Sequence, residues 1–128
     1  MTPAGQGPRR GTDRRDLGTA GETKAADWYE AHGYEILDRN WRVREGELDL
    51  VVGNDTAVAF CEVKTRRGDR FGLPAEAVTV RKQQRLRLLA GRWLAAHATS
   101  ARLLRFDVAA VLPDGRGGWV VEVFTDAF

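Results

Sequence analysis

The sequence predicts a single α/β domain, and three features of the chain carry that reading. A helical repeat of small and apolar residues comes first, and three strand-like runs follow it. A second, clearer helical repeat comes next, and the chain closes on two valine- and aromatic-rich runs with a Gly-rich turn between them. With 128 residues, 43% of them hydrophobic, there is material for one modest core. No apolar run approaches the roughly 18–20 residues of a membrane-spanning helix. The polar, Arg-rich N-terminus lacks the apolar centre of a secretory signal. The single cysteine, Cys61, excludes an internal disulfide framework and a cysteine-based zinc site. By exclusion, a cytoplasmic protein with no membrane partner is expected.

Taken in order, residues 1–16 hold Gly, Pro, Thr and Arg with almost no large apolar side chain, and are expected to be a disordered tail. The domain proper is placed at 17–128. Arg9, Arg10, Arg14 and Arg15 against Asp13 and Asp16 account for the whole formal charge of +2, so the domain itself is neutral. From about Leu17 to His32 the pattern is helical, and Gly33 is placed to end it. Gly18, Glu22, Ala25 and Tyr29 fall on one face, which sets Glu22 among small and apolar residues. Gly18 and Gly21 beside it would allow close approach to a sheet. A glutamate in the first turn, favoured by the helix dipole, is the plain alternative for Glu22.

Tyr34 to Val43 reads as a first strand, pairing through a turn near Glu45-Gly46 with a second strand from Glu47 to Val52. Trp41 is better read as a core aromatic than as a stacking surface for a base. Arg39, Arg42 and Arg44 either position phosphates or balance Glu45 and Glu47. The second and third strands are joined at Gly53-Asn54-Asp55. Alternation puts Glu47 and Asp49 on one face, opposite Leu48, Leu50 and Val52. In the third strand, Val58, Phe60, Glu62 and Lys64 share a face, opposite Ala57, Ala59, Cys61 and Val63.

Two charged groups in i, i+2 register on each of two neighbouring strands are costly in a hydrophobic sheet. At an effective dielectric of about 20 and a separation of roughly 5 Å, each carboxylate pair repels by about 3 kcal/mol. Lys64 can neutralise only one of Glu47, Asp49 and Glu62. The remainder must be solvated, protonated or bound to a cation, and all-carboxylate sites suit hard ions such as Mg²⁺ or Mn²⁺. The competing reading is the solvated face of an edge hairpin, with cross-strand Glu–Lys pairs.

The loop Thr65 to Pro74 is basic and Gly-rich, a form suited to backbone contacts with nucleic acid. A short helical piece over Glu76-Ala77-Val78 leads to the clearest helix, Thr79 to about His97. Thr79 is its N-cap, and Leu86, Leu89, Ala90, Trp93 and His97 form its buried stripe. Arg81, Arg85 and Arg92 line another side, with Lys82 nearby. His97 and His32, each at a helix end, read as satisfied or half-exposed histidines rather than ligands. From Glu62 to Arg92 there are nine basic and three acidic residues, a local +6 that suits a polyanion, although an ordinary basic helix face has the same composition. Leu103 to Val111 and Trp119 to Phe124 read as a hairpin, with Asp107 inside the first strand in a structural role.

Asp49, a gap, and then Glu62-Val63-Lys64 resembles the D…(D/E)-x-K signature of the restriction-endonuclease-like nucleases. Gly46-Glu47-Leu48-Asp49-Leu50 and Phe60-Cys61-Glu62-Val63-Lys64-Thr65-Arg66, with Gly21-Glu22, Asn40-Trp41-Arg42 and Phe71-Gly72 in order, look more specifically like the YraN-like family. That bacterial group is similar to archaeal-type Holliday-junction resolvases, and the resemblance covers about Leu17 to Phe128. Cys61 departs from it, standing where an aliphatic residue is expected. The resemblance implies a restriction-endonuclease-like core, a mixed central β-sheet flanked by helices.

It also implies a metal-dependent endonuclease acting on branched or structured DNA rather than RNA. Asp49, Glu62, Glu22 and the Val63 carbonyl would hold Mg²⁺ or Mn²⁺, and Lys64 would act on the attacking water or the developing phosphorane charge. Glu47 is the uncertain member of the set. Arg66, Arg67, Arg70, Arg81, Lys82 and Arg85 are the candidate nucleic-acid contacts. Symmetric cutting of a two-fold junction would require two sites, hence a homodimer. A non-catalytic nucleic-acid-binding module and a protein-interaction domain are the alternatives.

Overall fold

The computed structural model describes residues 10–66, 78–99 and 103–128, with side chains from residue 18 onward. Five strands form one sheet in the order β1 (Glu35–Val43), β2 (Gly46–Gly53), β3 (Ala57–Thr65), β4 (Leu103–Pro113) and β5 (Trp119–Phe124). All neighbours are antiparallel except β3 and β4, which run parallel. A parallel pair needs a crossover, and α2 (Val80–Ala96) lies within it. The sheet is therefore mixed, with α1 (Arg10–Ala31) packed on one face and α2 on the other.

The end of α1 and the start of α2 follow the sequence. Gly33 takes a positive φ of 88° just past α1, which a glycine adopts without strain. Its N–H reaches the Glu30 carbonyl at 3.2 Å, and the Tyr34 N–H reaches the Tyr29 carbonyl at 3.0 Å. These are the two bonds of a Schellman closure, and the Tyr29 and Tyr34 rings meet edge-on beneath it. The helix begins at Arg10 rather than near Leu17, so the backbone of 10–16, expected to be disordered, is helical. At the start of α2, Thr79 Oγ1 accepts from the Lys82 N–H. Leu86, Leu89, Ala90 and Trp93 are buried as the repeat predicts. His97 is half-buried, stacked 4.2 Å from Trp93 and bonded through Nδ1 to the Trp93 carbonyl.

The two cores differ in grain. Beneath α2, large side chains meet: Leu48, Val51, Phe60, Leu86, Leu89 and Trp93. Trp41 packs against this cluster, a core aromatic as expected. Beneath α1, small residues dominate (Ala25, Ala26, Ala59, Cys61 and Ala109), so that helix lies close to the sheet. At Gly21 any Cβ would run into the Thr65 side chain at the end of β3. Gly18, expected to serve the same purpose, has open space beside it. The fully buried line of α1 is Gly21, Ala25 and Tyr29, with Glu22 half-buried at its border.

Alternation holds in β3, where Val58 and Phe60 face α2 while Ala59 and Cys61 face α1. In β2 it fails at one position. Leu48 lies in the α2 core with Val51, whereas Leu50 and Val52 lie in the α1 core, so the three residues expected on one face are divided. The break falls at Asp49. On the partner strand, Asn40 stands in the left-handed region with φ 54°, between the pairs Arg39–Leu50 and Trp41–Leu48. A local break in a ladder re-aims side chains, and here it re-aims Asp49.

Candidate functional site

The ladder between β2 and β3 ends at the pair Leu50–Cys61. Past that point the Val63 N–H is taken by Asp49 Oδ2, at 2.9 Å, instead of by a backbone carbonyl. Beyond the ladder opens a cleft of about 440 Å³, lined by Gly18, Glu22, Asp49, Glu62, Val63, Lys64, Thr65 and Arg66. A residue's N–H and C=O leave an extended strand toward the same edge, so the Val63 carbonyl is directed toward the side its N–H shares with Asp49.

Asp49 carries the electrostatic signature of the cleft. Burial, reinforced chiefly by the Glu62 carboxylate and less by Glu22 and Glu47, pushes its pKa up to about 8, against the opposing pull of the Val63 N–H. Glu22 is also raised, first by burial and then by Glu47 and Glu62, while a hydrogen bond from Asn40 and the charge of Arg39 pull it down. Glu62 is 5% exposed. Its Oε2 lies 3.4 Å from Lys64 Nζ and 3.0 Å from Lys82 Nζ. Lys82, expected among the phosphate contacts, thus pairs from α2 with one of the acids that line the cleft.

Asn40 is the residue that sequence reasoning missed. Its amide nitrogen donates to Glu22 Oε1 and to Glu47 Oε2, both at 2.9 Å, tying α1 to β2. The signals available were its place in the Asn40-Trp41-Arg42 motif and an asparagine inside a strand, a residue type that tolerates left-handed backbone. Glu47 does not line the cleft; Asn40 and Arg42, the latter at 3.6 Å, hold it outside. Arg39 spans to α1, donating to the Thr19 carbonyl and to Thr23 Oγ1. Glu45 is paired by Arg92 from α2 rather than by Arg44. Among the described residues no group of three or more Asp, Glu, His or Cys side chains is arranged to hold a metal ion.

Of the other candidate contacts, Arg66 lines the cleft, and Arg81 and Arg85 are exposed on α2. Arg67 and Arg70, the Gly-rich loop and the expected short helical piece up to Ala77 lie outside the described residues. A recess of about 450 Å³ elsewhere is lined, among the described residues, by Gly33, Glu35, Leu37, Gly53, Asn54, Asp55, Val58 and Thr99, none of them basic. No described helix is long and apolar enough to cross a membrane.

Residues 21–111 match the model of the uncharacterised protein family UPF0102. The chain belongs to that family. It is the YraN-like group that the sequence resembles. A UPF0102 protein of Frankia casuarinae is 54% identical over 112 residues, covering 88% of this chain and 95% of its own. One from Beutenbergia cavernae is 51% identical over 106 residues, 83% of this chain and 90% of its own. One from Rhodococcus opacus is 46% identical over 112 residues, with coverage of 88% and 95%. The UPF0102 match begins at Gly21, the glycine that seats α1 on Thr65, and spans every cleft residue except Gly18.

Proposed function

We propose that the cleft is a divalent-cation site for hydrolysis of nucleic-acid phosphodiesters, in a core of restriction-endonuclease-like type. The observation that carries the reading is Asp49: a carboxyl with one hydrogen-bond donor recorded on it, held beside Glu62 and Glu22, with a pKa near 8. Such a group is short of positive charge, and perturbed acids in a cleft are candidates for function. The donors suit a hard cation, since Asp49, Glu62, Glu22 and the Val63 carbonyl all offer oxygen. Mg²⁺ or Mn²⁺ bound there would lower the pKa of its water and neutralise the departing oxygen.

The chain's own residues supply the rest. Asp49 and Glu62 would hold the cation, and the Val63 N–H fixes the orientation of Asp49. Lys64, which lines the cleft, would position the attacking water and offset the charge growing on the phosphorane oxygens. Glu22, held in place by Asn40, would complete or adjust the coordination. Arg66 on the rim, with exposed Arg81 and Arg85, meets the phosphate backbone, and DNA is the expected polymer. A four-way junction, a duplex and a single strand incubated with the protein, with and without Mn²⁺, test the proposal. Metal-dependent cutting that disappears in Asp49→Ala is the expected result, and cutting retained by that variant overturns it.

A second reading rests on its own observation. Glu62 is already met by two lysines, and no ready three-acid group is present among the described residues. A nucleic-acid-binding module without turnover would keep that internal pairing. It predicts salt-sensitive binding in the same assay, indifferent to Mn²⁺.

A further inference from the structure

Two ammonium groups meet one oxygen of Glu62, and they arrive by different routes. Lys64 sits two residues along the same strand, where strand period brings it to the same face. Lys82 comes from a different element, the first turn of α2. That turn holds Arg81 and Lys82 and no acidic residue, although the positive end of a helix disfavours cations. The backbone of Lys82 is fixed by the Thr79 cap, while its side chain is 38% exposed. An ammonium on a flexible four-carbon stem changes partners readily.

An oxygen 3.0 Å from an ammonium cannot also take a divalent ion at the roughly 2.0–2.1 Å that Mg²⁺ requires without strong like-charge repulsion. We propose that Lys82 is the resident counter-cation of Glu62, that it competes with the divalent ion for Oε2, and that the displaced ammonium turns to a phosphate of the incoming strand. Metal and nucleic acid then assist one another. The ion frees Lys82 for phosphate, and phosphate draws Lys82 away from Glu62, a coupling that is reciprocal by thermodynamic necessity. This inference rests on the cation-site reading of the cleft.

The test is Mn²⁺ affinity, read as free-ion paramagnetic resonance on the full chain, with and without a short phosphorothioate duplex. In the unsubstituted protein the duplex tightens Mn²⁺ binding several-fold. Lys82→Met tightens it about tenfold without duplex, because one positive charge has left the oxygen, and duplex then adds nothing. Lys82→Arg, which keeps a cation there, behaves like the parent. Far-UV circular dichroism and melting show that each variant is folded. Unchanged or weaker Mn²⁺ affinity in Lys82→Met, with binding abolished by Glu62→Gln, overturns the role of Lys82 and leaves the cation site standing. No Mn²⁺ bound by the parent or by Lys82→Met overturns both.

Discussion

Asp107 and Asp49 are two acids in one sheet, treated in opposite ways. Asp107, fully buried in β4, accepts from the Tyr29 hydroxyl at 2.7 Å. It also accepts from Arg105 Nε and Nη2 and from the Asp126 N–H, each at 2.9 Å. Each of its oxygens has two donors and its charge has a guanidinium. Asp49 in β2 has the Val63 N–H and three carboxylates for neighbours. A buried acid answered on all sides tethers α1, β4 and the C-terminal residues to one another. One left short of positive charge is costly, and the fold tolerates that cost because the first acid and the two cores secure the rest.

The largest effect that would break this contrast is on activity. Asp49→Ala or Glu62→Ala should cut Mn²⁺-dependent cleavage by more than about 1,000-fold, the loss of several kcal/mol of transition-state stabilisation. Asp107→Ala should instead cost about 3–5 kcal/mol of stability by stranding Arg105, read from urea midpoints. If Asp107→Ala proves harmless, its network is not the tether described.

Acidity gives the next test. The folded pKa of Asp49, about 8, lies above its ordinary 3.8. The native state therefore keeps a proton that the unfolded chain releases. That stabilisation is complete below the ordinary value and is lost as pH rises through the folded one. Metal-free stability should fall between about pH 4 and about pH 8, by an amount on the order of 1–3 kcal/mol after allowing for solvent in the cleft. Asp49→Asn should flatten the slope; an equally steep fall in that variant would place the titration elsewhere.

Two smaller effects sharpen the picture. Gly21→Ala pushes a methyl group into Thr65 and should cost about 1–3 kcal/mol, with part recovered by Thr65→Ala. Asn40→Gly keeps the left-handed backbone and deletes the amide, at about 1 kcal/mol. Glu22 should then titrate at higher pH, visible in carboxyl NMR, because the Asn40 bond is what pulls it down.

Much of the fold was legible because period and punctuation are local. The repeat of Leu86, Leu89 and Trp93, the Thr79 cap, Gly33, and the turn at Asn54, whose side chain accepts from the Thr56 and Ala57 N–H groups, each act within a few residues. The division of Leu48 from Leu50 was not legible, since alternation assumes an unbroken ladder and the break at Asp49 has no strong local marker. The early start of α1 escaped because residues 10–16 offer no apolar stripe to read. Asn40, lying outside the acid–lysine pattern, carried no sign of the two carboxylates it joins.

By itself the sequence determined the element order, the core-facing stripe of α2, and the presence of Asp49, Glu62 and Lys64 on adjacent strands. Tertiary structure alone decided that β2 and β3 part beyond Leu50–Cys61, that Asn40 joins Glu22 to Glu47, and that Lys82 crosses to Glu62. The reason is range. Propensity and periodicity act between near neighbours along the chain, whereas a carboxylate's acidity and its partners depend on groups brought beside it only when helices and strands pack.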